Sequence, residues 1–322
     1  MLSRTADCLY WMARYTERAE NTARMLNVAY QTSLLPHSPE TIQEGWKKIL
    51  TISKLEYVYF SRNEKISTKN ILFFMIFDTN NPSSIVSCLK AARENARAIR
   101  GSITSEVWET QNGTWLEFQK HLKYPNIDNP SDFLDWIKYQ CHLSRGVISG
   151  TMLQNVTHTF MRIGTLLERA DNTARILETQ YQIPASKYTK KISAQNMDQD
   201  FLDFYYWAAL LRSVSAFEIY RQIYSDHITP KQAAELLLFN PELPRSLVCC
   251  VTELIDLFRL VKNQDAKQMM RLIGKLKSDL DFSNIDEVFE IGLDEFIKVF
   301  LEKINHIADE FSNTYLIPLA IA

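Results

Sequence analysis

The sequence contains little glycine and little proline, 8 and 10 residues respectively among 322. These residues separate long stretches in which apolar positions recur with helical spacing. No stretch shows the apolar–polar alternation, bounded by turn residues, that is typical of hairpin strands. The sequence therefore predicts an all-α fold, a multi-helix bundle.

Several chemical motifs are also missing. No glycine-rich phosphate loop occurs, which argues against nucleotide binding of the P-loop or Rossmann kind. The five cysteines include no C-x-x-C pair, so we expect reduced thiols and neither a disulfide framework nor a zinc site. The six histidines are scattered and form no evident nucleophile–base pair. No catalytic residue is predicted.

Long apolar runs and a strong net charge are lacking too. The most apolar short run, ILFFMIF at residues 71–77, is far shorter than the roughly 20 residues that cross a bilayer. Charged residues interrupt any signal-peptide core near the start of the chain. The net charge of −2 gives no general attraction to nucleic acid or to an anionic membrane. We expect a cytoplasmic protein that binds neither.

Helical spacing and start signals divide the chain into elements. The start signals are a capping residue followed by proline, as at Asn81-Pro82, Asn129-Pro130 and Thr229-Pro230. We predict a loop at residues 183–195 and helices at 3–34, 40–62, 71–77, 81–100, 103–122, 129–150, 155–181, 198–225, 229–239, 244–262, 265–278 and 284–315. For 71–77 a strand is the alternative.

One decapeptide occurs twice. It reads ERAENTARML at residues 17–26 and ERADNTARIL at residues 168–177, with eight of ten positions identical. The repeat suggests a duplication with halves 1–150 and 151–322. Because the halves are otherwise dissimilar, we predict a single domain over 1–322, in which the two motif helices pack near each other.

On a helix, each copy of the decapeptide places its polar residues on one face, within about 60° of its glutamate. Small alanines lie on the opposite face and allow another helix to approach closely. Each copy also contains an acid-before-base pair at i,i+4, worth about 0.2–0.5 kcal/mol when exposed. The polar faces comprise Arg14, Glu17, Glu20, Asn21 and Arg24 in the first copy and Glu168, Asp171, Asn172 and Arg175 in the second, with Arg18 and Arg169 towards the flank.

This combination of residues indicates a binding site. Arginine binds carboxylate or phosphate in a bidentate manner, and asparagine both donates and accepts hydrogen bonds. Such faces would suit a zwitterion, a peptide end or a phosphate. A third segment uses the same residue types, with Arg93, Glu94, Asn95 and Arg97. The alternative interpretation is a structural salt-bridge network between helices.

A metal site is not predicted. Di-metal carboxylate bundles use Glu-x-x-His motifs, and none occurs in this sequence. A divalent ion such as Mg²⁺ or Mn²⁺ would have to use the motif carboxylates Glu17 and Glu168.

Five blocks spread over most of the chain resemble the bacterial alpha-E family, which is named for an α-helical domain with a Glu-Arg motif. The blocks are MLSRTADCLYWMARYTERAENTARML, AARENARAIRGSITSEVWETQN, FMRIGTLLERADNTARIL, LLRSVSAFEIYR and LLLFNPELPRSLVCC. The resemblance adds Arg212, Ser215, Glu218, Arg221 and Arg245 to the candidate site residues.

The resemblance also implies a context. Alpha-E proteins are typically encoded beside, or fused to, a circularly permuted ATP-grasp protein, and a transglutaminase-like protein often accompanies them. It implies a role in ATP-dependent amide-bond formation on an amino-acid or peptide substrate. ATP and Mg²⁺ would then be bound by the ATP-grasp partner, with no cofactor on this chain. The alternative is a non-catalytic helical scaffold.

Overall fold

The computed structural model describes residues 3–36, 38–62, 65–123, 127, 129–181, 197–224, 227–261 and 266–316. Within these ranges the chain forms fifteen α-helices, one short 3-10 helix and no strand, so the predicted all-α fold is confirmed. The helices are α1 (Ser3–Ser33), α2 (Pro39–Ile52), α3 (Glu56–Phe60), α4 (Thr68–Ile76), α5 (Ile85–Ala98), α6 (Ser105–Lys123), α7 (Ser131–Thr151), α8 (Val156–Tyr181), α9 (Met197–Ser213), α10 (Phe217–Tyr224), α11 (Pro230–Phe239), α12 (Leu247–Leu260), α13 (Ala266–Asp281), α14 (Ile285–Ile291) and α15 (Leu293–Tyr315).

Helix α1 lies at the centre of the fold. It packs most extensively on α8, which carries the second decapeptide, and also on α5 and α7. Helices α12 and α15 cover the other side of α8. Because α1 is surrounded, both faces of its motif are buried, the Ala19 and Ala23 face and the Glu17 and Glu20 face alike.

The crossing of α1 and α8 depends on one glycine. A Cβ atom at Gly164 would lie 2.5 Å from the backbone oxygen of Tyr10, closer than real Cβ contacts allow. The missing side chain therefore lets the two motif helices approach, which brings their polar residues within reach of each other.

Three of the predicted helices are each two helices. The predicted helix 40–62 breaks after α2, where Lys54 has φ 54°. The predicted helix 198–225 breaks at Ser215 with φ 56°, and 284–315 breaks at Gly292 with φ 107°. A residue with positive φ cannot continue a right-handed helix. Of these three residues only Gly292 is of a type that adopts positive φ readily, so only that break had a signal in the sequence.

Two of the three predicted start signals, at Asn81 and Asn129, lie ahead of the helix and do not cap it. Asn81 does not cap α5; it accepts from Ser83 N at 3.0 Å and donates to Phe74 O at 3.1 Å. Ser84 is the N-cap and accepts from Ser87 N. Likewise, α7 begins at Ser131 behind Pro130 and has no side-chain cap, so Asn129 is not its N-cap. Helix α12 begins at Leu247 behind the N-cap Ser246, later than the predicted residue 244. The remaining boundaries lie close to the predicted ones, residues 71–77 are largely helical, and the predicted loop 183–195 lies outside the described residues.

Candidate functional site

The two Glu-Arg dipeptides of the motif bind each other across the α1–α8 contact. Arg169 Nε donates to Glu17 Oε1 at 2.9 Å, and Arg18 Nε donates to Glu168 Oε1 at 2.6 Å. The glutamate of each copy therefore accepts from the arginine of the other copy. This arrangement is locally symmetric, while the duplicated halves and the single domain remain predictions.

Glu17 is a buried carboxylate with three arginine partners. It is 1% exposed and is held by Arg169 at 2.9 Å, by Arg145 at 2.9 Å and by Arg245 at 3.3 Å. Burial alone would raise the pKa of Glu17, but these three guanidinium groups outweigh it and hold the pKa below its ordinary value. Glu17 is therefore ionised and enclosed.

Glu20 completes this motif network, which we define as Glu17, Glu20 and the arginines around them. Its Oε1 accepts from Arg24 at 2.7 Å and from Arg245 at 2.8 Å, and Arg145 contacts its other oxygen. The predicted i,i+4 pair of Glu20 and Arg24 is thus confirmed. Burial opposes ionisation, yet these arginines hold the pKa of Glu20 well below its usual range. Arg245 Nη1 also donates to Asn21 Oδ1 at 2.7 Å.

Glu168 forms a second cluster. Arg14 Nε lies 2.7 Å from its Oε2, and Arg18 donates to both carboxylate oxygens. Arg14 also donates to the Tyr10 hydroxyl at 2.9 Å. Burial would raise the pKa of Glu168, but the two arginines lower it to about 2.

A cavity of about 190 Å³ lies between the two decapeptides. On its α8 wall Arg175 forms a bidentate pair with Asp171, with 2.6 and 2.8 Å distances, which confirms the second predicted i,i+4 pair. We call this space the motif cavity. It is lined by Arg18, Asn21, Thr22 and Met25 of α1, by Glu168, Asp171, Asn172 and Arg175 of α8, and by Ile52, Ser53, Lys54 and Ser83.

Three polar atoms of the lining residues have no hydrogen-bond partner among the described residues: Asn21 Nδ2, Asn172 Oδ1 and Arg175 Nη1. The orientation of the Asn21 amide follows from its contact with Arg245, because a guanidinium only donates and Asn21 Oδ1 must accept. Buried polar groups usually have partners. Two unused donors and one unused acceptor therefore belong to residues that line the motif cavity.

The charge of the cavity lining favours an anionic group. The lining of the motif cavity has three cationic side chains, Arg18, Lys54 and Arg175, against the two carboxylates Glu168 and Asp171, which leaves a net charge of +1. At the edge of the cavity stands the exposed Lys54. A cavity with an excess of positive charge concentrates carboxylates and phosphates.

The same contacts do not fit a divalent metal ion. Glu17 and Glu168, the carboxylates named for a divalent ion, already accept from arginines. The described part of the chain has no group of three or more metal-ligating side chains.

Cys141 and His142 are neighbours on α7. Cys141 is buried, and burial raises the pKa of its thiol well above the ordinary value. The adjacent His142 accepts at Nδ1 from Arg145 at 2.9 Å.

The third polar segment lies apart from the motif cavity, between α5 and α6. Arg93 donates to Asn112 at 3.1 Å and stacks on Trp108, and Arg97 pairs with Glu94 at 2.7 Å. Asn95 bonds to the backbone of its own helix. These contacts are those of a partly exposed helix face.

Of the residues added by the resemblance, only Arg245 joins the motif network. Arg212 stacks on Phe217, with 4.5 Å from its guanidinium carbon to the ring centre. Ser215 lies in the turn between α9 and α10, and Glu218 and Arg221 are exposed on α10. None of these four lines the motif cavity.

Sequence reasoning missed Arg145 and Lys54. Arg145 follows the buried positions Cys141 and Ser144 on α7, so an arginine at the edge of an apolar helix stripe was the available signal. Lys54 lies in a predicted helix, and its position at the cavity depends on the break after α2. No local sequence pattern predicts that break.

None of the helices in the described ranges has both the length and the apolar character that spanning a membrane requires.

The fold and the site define an all-α protein built around two helices whose Glu-Arg dipeptides pair reciprocally. The Alpha-E family model, described as "a predicted alpha-helical domain with a conserved ER motif", matches residues 1–316. The chain belongs to the Alpha-E family, as its five sequence blocks indicated. No solved structure matches it.

The chain is also similar to proteins of mycobacteria. An uncharacterized protein of Mycobacterium bovis is 24% identical over 310 residues, which cover 90% of this chain and 34% of that protein. An uncharacterized protein of Mycobacterium tuberculosis is 23% identical over the same length, with the same coverage. The chain thus spans about a third of the length of the curated relatives it matches.

Proposed function

We propose that this protein is a component of an ATP-grasp-linked system that forms amide bonds in peptide synthesis or modification. In this proposal the motif cavity binds a zwitterionic, peptide or phosphate-bearing ligand, or the same polar surface docks the ligase. The observation that carries the proposal is the motif cavity, where both decapeptides meet around unpartnered donors and an excess of positive charge. ATP and Mg²⁺ belong to the ATP-grasp partner, and a transglutaminase-like protein is a further proposed partner. The system would operate in the cytoplasm, where ATP is available.

The chemistry of an ATP-dependent ligase suits such a cavity. An ATP-grasp enzyme activates a carboxylate as an acyl phosphate, which an amine then attacks. Arginine and asparagine donors bind carboxylates and phosphates well, so the cavity has the donors needed to hold the acid or its activated form. The matched region makes up about a third of each mycobacterial relative, which fits a domain that works with further polypeptide.

Reconstitution tests this proposal. The chain is mixed with a circularly permuted ATP-grasp protein from the same genome, and ATP consumption is followed over a panel of amino acids and short peptides. We expect turnover that requires this chain and falls at least tenfold in Arg175→Gln, which removes the unpartnered Nη1 donor. Arg259→Gln is the matched control, because Arg259 lies exposed on α12. Turnover that is indifferent to the chain would overturn the proposal.

A structural role alone is the second candidate, and the motif network favours it. The oxygens of Glu17 face arginines of the protein itself, and those arginines come from α7, from α8 and from the segment before α12. In that case the protein acts as a helical scaffold. Variants of the cavity lining, such as Arg175→Gln, would then change neither ATP turnover nor partner function, while variants of Glu17 would unfold the protein.

A further inference from the structure

A second cavity adjoins the motif cavity. It has a volume of about 90 Å³ and lies between α1, α2, α8 and α9, with a lining that is mainly apolar. We call it the apolar cavity. Met25 and Ile52 line both cavities, so the two spaces share one wall.

One of the two residues of the shared wall is a methionine. Met25 is a flexible side chain, and its sulfur lies 3.9 Å from Asn172 Nδ2. Asn172 also lines the motif cavity, and its Oδ1 has no hydrogen-bond partner among the described residues. A ligand that binds Asn172 therefore lies next to the entrance of the apolar cavity.

The two cavities together could hold the polar and the apolar parts of one ligand. Unpartnered donors at Asn21 and Arg175, together with Lys54, suit a carboxylate, and the unpartnered oxygen of Asn172 suits an N–H group beside it. An apolar cavity of about 150 Å³ holds benzene, so about 90 Å³ is the size for an aliphatic side chain of three or four carbons. A buried Trp46 and Ile49 would contact such a side chain.

We propose that the ligand is an aliphatic α-amino acid, free or at the carboxyl end of a peptide. Its carboxylate and N–H group occupy the motif cavity, and its side chain passes Met25 into the apolar cavity. This inference rests on the proposed function and names the substrate class of the same site.

One glycine gives a sharp test of the apolar cavity. Gly45 lines it, and a Cβ added there meets no atom within 4 Å. Gly45→Leu should therefore fill the cavity without straining α2. Gly113→Leu is the matched control, because it also meets open space, on α6 and away from both cavities.

The experiment titrates the purified protein with L-leucine and with glycine by calorimetry. We expect leucine to bind at least about tenfold more tightly than glycine. In Gly45→Leu that preference should vanish without a fall in the melting temperature, whereas Gly113→Leu should keep it. Arg175→Gln should weaken both amino acids.

The possible failures are distinguishable. If leucine and glycine bind equally and both depend on Arg175, the apolar cavity is not part of the site and the inference is overturned, while the proposed function stands. If neither binds at millimolar concentration, the amino-acid class is wrong. Reconstituted ATP turnover then decides separately on the proposed function.

Discussion

Glu17 on α1 accepts from Arg169 on α8 at 2.9 Å, although the two residues are 152 positions apart in the chain. The reverse pair, Arg18 with Glu168, forms at the same helix crossing. When residue i of one element contacts residue j of the other and the reverse also holds, both elements must carry the same two residues. Reciprocal pairing is therefore a physical reason for keeping the Glu-Arg dipeptide in both copies.

Neutralising Glu17 should destabilise the protein strongly. In Glu17→Gln the guanidinium groups of Arg145, Arg169 and Arg245 lose a buried counter-charge, which costs about 3–5 kcal/mol. Urea denaturation measures this loss. Asp256→Asn is the control, since Asp256 and its partner Arg259 are 68% and 65% exposed, and it should cost less than about 1 kcal/mol. Equal midpoints for the two variants would contradict a structural role of the motif network.

The Glu168 cluster should make the free energy of unfolding depend on pH. The pKa of Glu168 is lowered from 4.5 to about 2. The stabilisation from this ionised carboxylate is therefore complete above pH 4.5 and is lost as the pH falls towards 2. The shift corresponds to about 3 kcal/mol at neutral pH. We expect the free energy of unfolding of wild type and Glu168→Gln to differ by about 2 kcal/mol less at pH 3 than at pH 6. A difference that is the same at both pH values would show that the carboxylate is not held ionised by Arg14 and Arg18.

The helix crossing should not tolerate a methyl group. In Gly164→Ala the new Cβ would meet Tyr10 O at 2.5 Å, so α1 and α8 must move apart, at a cost of about 1–3 kcal/mol. Gly113→Ala is the matched helical control: it meets open space and should stabilise the protein by up to about 1 kcal/mol. Thermal melting of both variants checks the prediction, and opposite signs are the expected result.

Replacing Lys54 by glycine should raise the stability of the protein and weaken its binding of leucine. Its φ of 54° is the left-handed conformation, which glycine adopts without the Cβ clash, so Lys54→Gly should stabilise the protein by about 1 kcal/mol. The variant also removes a positive charge from the lining of the motif cavity and should weaken leucine binding. Ser215→Gly is the control, because Ser215 has φ 56° and lines neither cavity. It should gain stability and keep the affinity; unchanged leucine affinity in Lys54→Gly would exclude a role in binding.

Local patterns were sufficient for most of the fold. The spacing of apolar residues predicted α1 and α8 to within about two residues, and Thr229 followed by Pro230 predicted the start of α11. The contacts of Glu20 with Arg24 and of Asp171 with Arg175 also followed from i,i+4 spacing. The decapeptide itself was visible because it occurs twice.

The sequence by itself thus determined an all-α chain with two polar helix faces. Tertiary structure alone decided that Arg145 and Arg245 converge on Glu17, that Lys54 breaks a helix and that two cavities meet at Met25. The physical reason is the range of the interactions. Helical periodicity and i,i+4 pairs act within one or two turns, whereas the partner of a buried charge and the shape of a cavity depend on packing between residues far apart in the chain.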